Sequence, residues 1–336
     1  MSTATLTPRN QDAPKQSSPF VRGLGHFFKA RETGILIAVL LVIVVTTVKN
    51  PSFVFSSDGW RDLLLTPSIL VLVAVGQAIV IITKSVDLSV GSVLGLTAYL
   101  TGRLFIDIPG IPMIVVFLAG IVFGGLLGLI NGALVAFAKV PAMVITLGTL
   151  YAYRGINVVW AGSDRINASD MPKDFLALGT GQFLSIPLLT IIALVVLVAA
   201  AWYMKNTRGG REFYAIGSDP AAAGLYGLRV VRRLLIAFVA SGALAGLAGV
   251  LYAYYRPGLK WDMGAQILLL VFAAVTLGGL GTAFGALVGA IVVGILVEIS
   301  SLWIPADLKY VGALVVLILI LLFRPQGILG RRERIG

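Results

Sequence analysis

The sequence predicts an all-α integral membrane protein of about ten transmembrane helices, with both termini on the cytoplasmic side. Three observations carry that expectation: the composition, a series of apolar stretches of bilayer length, and the sorting of basic residues between loops. AVILMFWYC residues make up 58% of the 336 and charged residues 12%. With the 39 glycines the apolar share is roughly 70%, against about 45–50% for soluble chains. Mean hydropathy is +0.97, which an aqueous domain could sustain only by exposing large apolar patches.

A bilayer core of about 30 Å needs about 20 apolar residues to cross as a helix. Stretches of that kind fall at 34–48, 63–83, 88–105, 112–137, 143–160, 183–204, 234–254, 267–280, 283–302 and 307–323. The first and eighth are short, which leaves a re-entrant segment open there. Residues 1–31 are rich in Ser, Thr, Pro and Gln with five basic residues and no apolar core, and read as a cytosolic tail without a cleaved signal. The membrane body is then 32–325 and a second cytosolic tail 326–336.

Placing the N-terminus inside puts 17 of the 26 basic residues on the inner face: five in the tail, Lys84, Lys139, six in 205–233 and four in 324–334. Six acidic residues share that face (Asp12, Glu32, Asp87, Glu212, Asp219 and Glu333). Seventeen basic less six acidic residues leaves eleven charges, the whole +11 of the chain. That is the positive-inside pattern, and it accounts for the basic charge without nucleic acid.

Two loops stand out. Residues 161–182 are polar and nearly charge-balanced, as suits an outer surface. Residues 205–233 are basic at both ends and contain Asp219-Pro220-Ala221-Ala222-Ala223-Gly224, where Asp219 can cap a short helix and Pro220 suits its first position. Glycines recur at 120, 124, 128 and 132, and again at 281, 285 and 289. That spacing makes a groove in which another helix backbone can pack closely, within a bundle or between two chains.

Polar residues at membrane depth mark pathways or helix contacts. Gln77, Thr83, Asp87 and Ser89 cluster between the second and third spans, with Asn131 and Thr146 in the fourth and fifth. These six are the candidate pathway-lining or gate-supporting residues. Asp87 is also placed to cap the third span. Only Asp87 and Glu298 come close to the buried carboxylates that proton or sodium coupling uses. With zero Cys and the single His26, zinc and thiolate sites are excluded as classes, and no cofactor is expected. There is no G-x-x-x-x-G-K-[ST] loop, so nucleotide hydrolysis is not expected of this chain.

Several ordered motifs carry a family resemblance. They are Asn50-Pro51-Ser52-Phe53-Val54; Gly76-Gln77-Ala78-Ile79-Val80-Ile81-Ile82-Thr83 followed by Val86-Asp87-Leu88-Ser89-Val90-Gly91-Ser92; Asn131-Gly132-Ala133; Tyr153-Arg154-Gly155; and Phe213-Tyr214-Ala215-Ile216-Gly217-Ser218-Asp219-Pro220. From Asn50 onward the chain resembles the permease subunits of bacterial ATP-binding-cassette importers, in the branch carrying ribose-like monosaccharides and small polyols. It departs at Lys84-Ser85, where that branch usually has two glycines. Its last part, from Gly278 to Gly327, is similar to the branched-chain amino-acid permeases of the same superfamily.

The resemblance implies a type II importer-like bundle in the bacterial inner membrane. It also implies a second permease chain, separate cytosolic ATPase subunits and a periplasmic or lipid-anchored solute-binding protein. Residues Gly217, Ser218, Asp219, Pro220, Ala221, Ala222, Ala223 and Gly224 would then seat in the ATPase. The alternatives are a branched-chain amino-acid-type permease and a self-contained transporter or channel.

Overall fold

The computed structural model describes residues 56–138, 140–255, 258–279 and 283–300, with isolated positions on either side. The expected first and tenth spans and both tails lie largely or wholly outside the described residues, as do Lys139 and Gly281. Eleven α-helices are described here: α1 (Ser57–Ile82), α2 (Val90–Asp107), α3 (Met113–Phe137), α4 (Ala142–Ala161), α5 (Lys173–Thr180), α6 (Leu188–Asn206), α7 (Arg208–Ser218), α8 (Pro220–Leu225), α9 (Val230–Tyr255), α10 (Met263–Gly278) and α11 (Ala283–Ser300). Among them α1, α3, α4, α6 and α9 are long and apolar enough to cross a membrane.

The core is built from α1, α2, α9 and α10. Of the most apolar stretch of α1, 94% is buried, against 17% for α4, so α1 is an internal strut while α4 keeps most of its surface outward. Val144, Leu147, Tyr151 and Val159 of α4 and Val122 and Leu126 of α3 are exposed, as lipid or a partner chain requires of a membrane helix.

The largest helix interface among the described residues joins α3 to α9. Its cause is the glycine ridge. A Cβ on Gly124 would meet the Gly242 carbonyl and sit 2.8 Å from the Gly246 Cα, and one on Gly128 would meet the Phe238 carbonyl. Gly120 faces Val250, and Gly132 faces Phe238 and Leu235. In lipid no hydrophobic force drives helices together, so this close backbone approach supplies the van der Waals contact that does. Of the two partners the spacing leaves open, the structure gives the intrachain one. A similar approach joins α10 and α11, where Gly278 lies against Gly285 and Gly289 against Ala274.

α1 and α11 meet where Gly294 lies against Pro67, and Thr66 Oγ1 donates to Glu298 Oε1 one residue away. α2 and α10 meet at their N-termini: a Cβ on Gly91 would strike the Gly264 carbonyl, and one on Gly264 the Gly91 carbonyl.

Two element boundaries differ from the sequence expectation for local reasons. The sixth span starts at Leu188 rather than 183, because Gln182–Phe183 pairs antiparallel with Ile186–Pro187. The intervening turn puts Leu184 and Ser185 at φ 52° and 63°, a left-handed conformation that neither residue type advertises. α1 begins at Ser57, six residues early, because the Ser56 hydroxyl accepts the Gly59 N–H at 2.9 Å and caps it.

Candidate functional site

The turn between α1 and α2 gathers five of the six candidate pathway residues into one buried network. Asp87 Oδ1 accepts the Ser89 N–H at 2.9 Å and the Ser89 hydroxyl at 2.7 Å. Asn131 Nδ2 of α3 donates to Ser89 Oγ at 2.6 Å. Thr146 Oγ1 of α4 lies 3.1 Å from the Val86 carbonyl and 2.9 Å from the Ala142 carbonyl. With its amide oriented to satisfy both groups, Gln77 of α1 donates from Nε2 to the Asp87 carbonyl at 3.1 Å and accepts the Asp87 N–H at 3.3 Å. All five are buried. Thr83 is buried too but stands apart, its hydroxyl returned to the Val80 carbonyl at 2.7 Å.

Sequence reasoning did not assign Tyr153 a role. Its hydroxyl lies 3.0 Å from the Leu127 carbonyl and 3.2 Å from Asn131 Oδ1, which extends the network along α4. Nor is Asp87 the N-cap of α2. That position is Ser89, whose side chain makes no capping bond. The Asp87 carboxylate instead fixes Ser89 from two residues upstream.

The network ties α1, α2, α3 and α4 at one level. Asp87→Asn keeps an acceptor for Ser89, whereas Asp87→Ala leaves the Ser89 N–H and hydroxyl without that partner, a loss of about 1–3 kcal/mol for a buried group. The expected result is a near-parental thermal melt for Asp87→Asn and a melt several degrees lower for Asp87→Ala.

Directly beside this turn stands an elbow formed by α7 and α8. Both helices are capped: the Thr207 hydroxyl accepts the Gly210 N–H at 3.0 Å, and Asp219 Oδ1 accepts the Ala221 and Ala222 N–H groups at 2.9 and 3.1 Å. Pro220 occupies the first turn, where its missing N–H costs nothing. Arg233 at the start of α9 donates from Nε to Glu212 Oε2 at 2.6 Å, and Arg208 donates to Oε1 at 3.1 Å. The Arg233 hydrogen bond, the leading cause, holds the Glu212 carboxyl below its ordinary range. The pair is therefore intact at neutral pH and is lost only as pH falls through that lowered value.

The elbow touches the membrane turn at two points. Gly217 packs so closely on the Ile82 carbonyl that a Cβ would not fit. Lys84 Nζ donates to the Ser218 carbonyl at 2.8 Å. Lys84 sits at φ 58°, a conformation in which glycine is at ease and lysine is strained by about 1–2 kcal/mol. The strained residue is the one that holds the elbow. Lys84→Gly relieves the strain while cutting the tether, and Lys84→Ala cuts the tether and keeps the strain. Thermal melts should rank Lys84→Gly above Lys84→Ala by about 1 kcal/mol, with both losing transport relative to the parent.

The far end of the elbow is apolar and exposed. Ala223 is buried beneath it, but Leu225 is 90% exposed and Tyr226 86%. The coupling residues expected from the sequence end at Gly224, immediately before this pair. Among the described residues no group of three His, Cys, Asp or Glu could hold a metal ion.

Comparison with known proteins supplies a family for this arrangement of helices. Residues 61–322 match the family described as "Branched-chain amino acid transport system / permease component". The chain is 35% identical over 269 residues to the ribose import permease protein RbsC of Haemophilus influenzae, covering 77% of this chain and 82% of that one. It is 34% identical over 269 residues to the autoinducer 2 import system permease protein LsrC of Enterobacter sp. strain 638, covering 78% and 77%. Against the protein of that name from Shigella flexneri identity is 33% over 263 residues, covering 78% and 75%. No solved structure matches the chain. With its family match running from the first turn of α1 to beyond α11, and relatives at this identity over three quarters of its length, the chain belongs to the branched-chain amino acid transport system permease family.

Proposed function

We propose that the chain is the membrane-spanning half of an ATP-driven importer in the bacterial inner membrane, and that it carries a small uncharged monosaccharide or polyol. One observation carries the mechanism: a doubly capped elbow leaves Leu225 and Tyr226 exposed and is fastened to the α1–α2 turn through Gly217 and Lys84. An apolar tip of that kind fits a groove on a cytosolic ATPase subunit. The chain itself has no phosphate-binding loop, so the energy must come from such a partner. The solute class is supported by the named relatives, which import ribose and autoinducer 2.

In this reading ten helices cross the membrane with both termini inside, and the basic residues of 205–233 face the cytosol. Residues 1–31 and 326–336 are the cytosolic tails of a 32–325 membrane domain. A second permease chain, two ATPase subunits and a solute-binding protein complete the machine. Gln77, Thr83, Asp87, Ser89, Asn131 and Thr146 support the gate rather than line an open path, since all six are buried, four of them hydrogen-bond one another and Thr146 holds the Val86 carbonyl beside Asp87. A pull on the elbow reaches this network through the turn at residues 82–87.

Cells lacking other ribose and leucine uptake systems, expressing this chain with its ATPase and binding protein, should accumulate labelled D-ribose in preference to L-leucine. Accumulation of L-leucine instead would favour the second reading, an amino-acid permease, which the family description supports.

A further inference from the structure

Between α2, α4 and the start of α10 lies a cavity of about 170 Å³ that neither the Asp87 network nor the elbow uses. Ser92, Arg154, Asn157, Trp261 and Asp262 line it together with Leu268 and the backbone at Gly95 and Gly264. Asn157 is only 2% exposed. Its Nδ2 donates to the Trp261 carbonyl at 3.2 Å, and its Oδ1 has no hydrogen-bond partner. A buried amide oxygen left without a donor is costly, and a ligand hydroxyl would remove that cost. Ser92 donates to the Leu150 carbonyl at 3.0 Å, so its oxygen lone pairs stay open to a donor.

The walls are chosen for no net charge. Arg154 and Asp262 balance, and the Arg154 guanidinium lies 5.1 Å over the Trp261 ring, engaged with its π face. An indole for C–H surface, an amide oxygen for a hydroxyl proton and a serine oxygen beside it make a site for a polyhydroxylated molecule. The volume is on the scale of one small solute. Trp261 is held in place from outside: the Ile166 N–H donates to the Leu259 carbonyl at 3.2 Å and the Leu259 N–H to the Ile166 carbonyl at 2.7 Å. That bridge fastens the 161–182 loop to the segment leading into α10.

We infer that this cavity is a contact station for the transported solute, and that it takes an uncharged polyol. The inference rests on the importer reading above and adds a location to it.

The chain has no cysteine, so a single introduced thiol reports on its own position. Ser92→Cys and Ala265→Cys place thiols on two sides of the cavity, and Phe183→Cys places a control on the exposed strand that precedes α6. Membrane vesicles bearing the assembled transporter would be treated with a small water-soluble methanethiosulfonate, with D-ribose or L-leucine present. D-ribose at about twice its dissociation constant should slow labelling of both cavity thiols roughly threefold by mass action, leave Phe183→Cys unaffected, and be unmatched by L-leucine. Adding Asn157→Leu to either variant removes one hydrogen bond, weakens binding by roughly three- to tenfold and should bring labelling back towards its unprotected rate.

Cavity thiols that never react, or react at one rate with and without D-ribose, overturn the station. Equal protection by L-leucine overturns the polyol assignment. ATP-driven uptake measured on the parent in the same vesicles separates the claims: D-ribose uptake without protection sinks the station alone, and absence of D-ribose uptake sinks the importer reading beneath it.

Discussion

Gly124→Leu should abolish the folded permease. The position faces Gly242 and Gly246 across the α3–α9 interface, and even the first added carbon would sit 2.8 Å from the Gly246 Cα and 2.9 Å from its nitrogen. Backbone cannot step aside as a flexible side chain can. Overpacking a core commonly costs about 1–3 kcal/mol and occasionally more, and four added carbons at the centre of the largest interface belong at or beyond the upper end. Gly124→Ala should be milder and still destabilising.

Gly125 supplies the control on the same helix. A Cβ there has its nearest neighbour at 3.7 Å, on Ala243, so Gly125→Ala should be tolerated and can gain up to about 1 kcal/mol from helix propensity. Size-exclusion chromatography in mild detergent with a thermal melt reads all three. A native-like elution and unshifted melt for Gly124→Leu would put the ridge against lipid, contrary to the interface described.

The second large effect is on transport rather than folding. Tyr226→Ala removes an aromatic side chain that touches little of its own chain, and such surface changes usually alter stability by less than about 0.5 kcal/mol. If Tyr226 anchors the ATPase, its loss costs about 2 kcal/mol of binding, roughly thirtyfold in affinity. Leu225→Glu with Tyr226→Glu should abolish ATPase co-purification and uptake together, because two carboxylates would enter an apolar groove unpaired. Ala222→Glu, half-buried in the first turn of α8, should have a smaller effect of the same sign. Normal melts are expected for all three, with uptake reduced in the single variants and lost in the double variant; unchanged uptake in the double variant would remove the elbow from coupling.

Much of this was legible in the sequence where one local rule decides the outcome. Asp219-Pro220 gives the start of α8 because a cap and an N1 proline act over three residues. The glycine ridge of α3 was readable from spacing, and Gly242 and Gly246 carry the same four-residue signal for its partner, although spacing alone does not pair two helices. The buried polar group was legible as a set because each member lies in an apolar surrounding where a polar atom needs a reason. What escaped depends on contacts distant in sequence. α5 exists because Phe175 packs between the rings of Phe105 and Tyr254, and the cavity draws its walls from residues 92 to 268. The Leu184-Ser185 turn escaped for the opposite reason: it adopts left-handed backbone without glycine or asparagine to signal it.

The central claim is that this chain is a passive body driven from its elbow by a separate ATPase. Proteoliposomes test it most directly. With the chain alone, labelled D-ribose should neither concentrate nor leak inward faster than in empty liposomes. With the ATPase subunits, the solute-binding protein and ATP added on their proper faces, accumulation should appear and should vanish on substituting Leu225 and Tyr226 by Glu. Sustained flux through the chain alone, indifferent to ATP and to the elbow, would contradict the account.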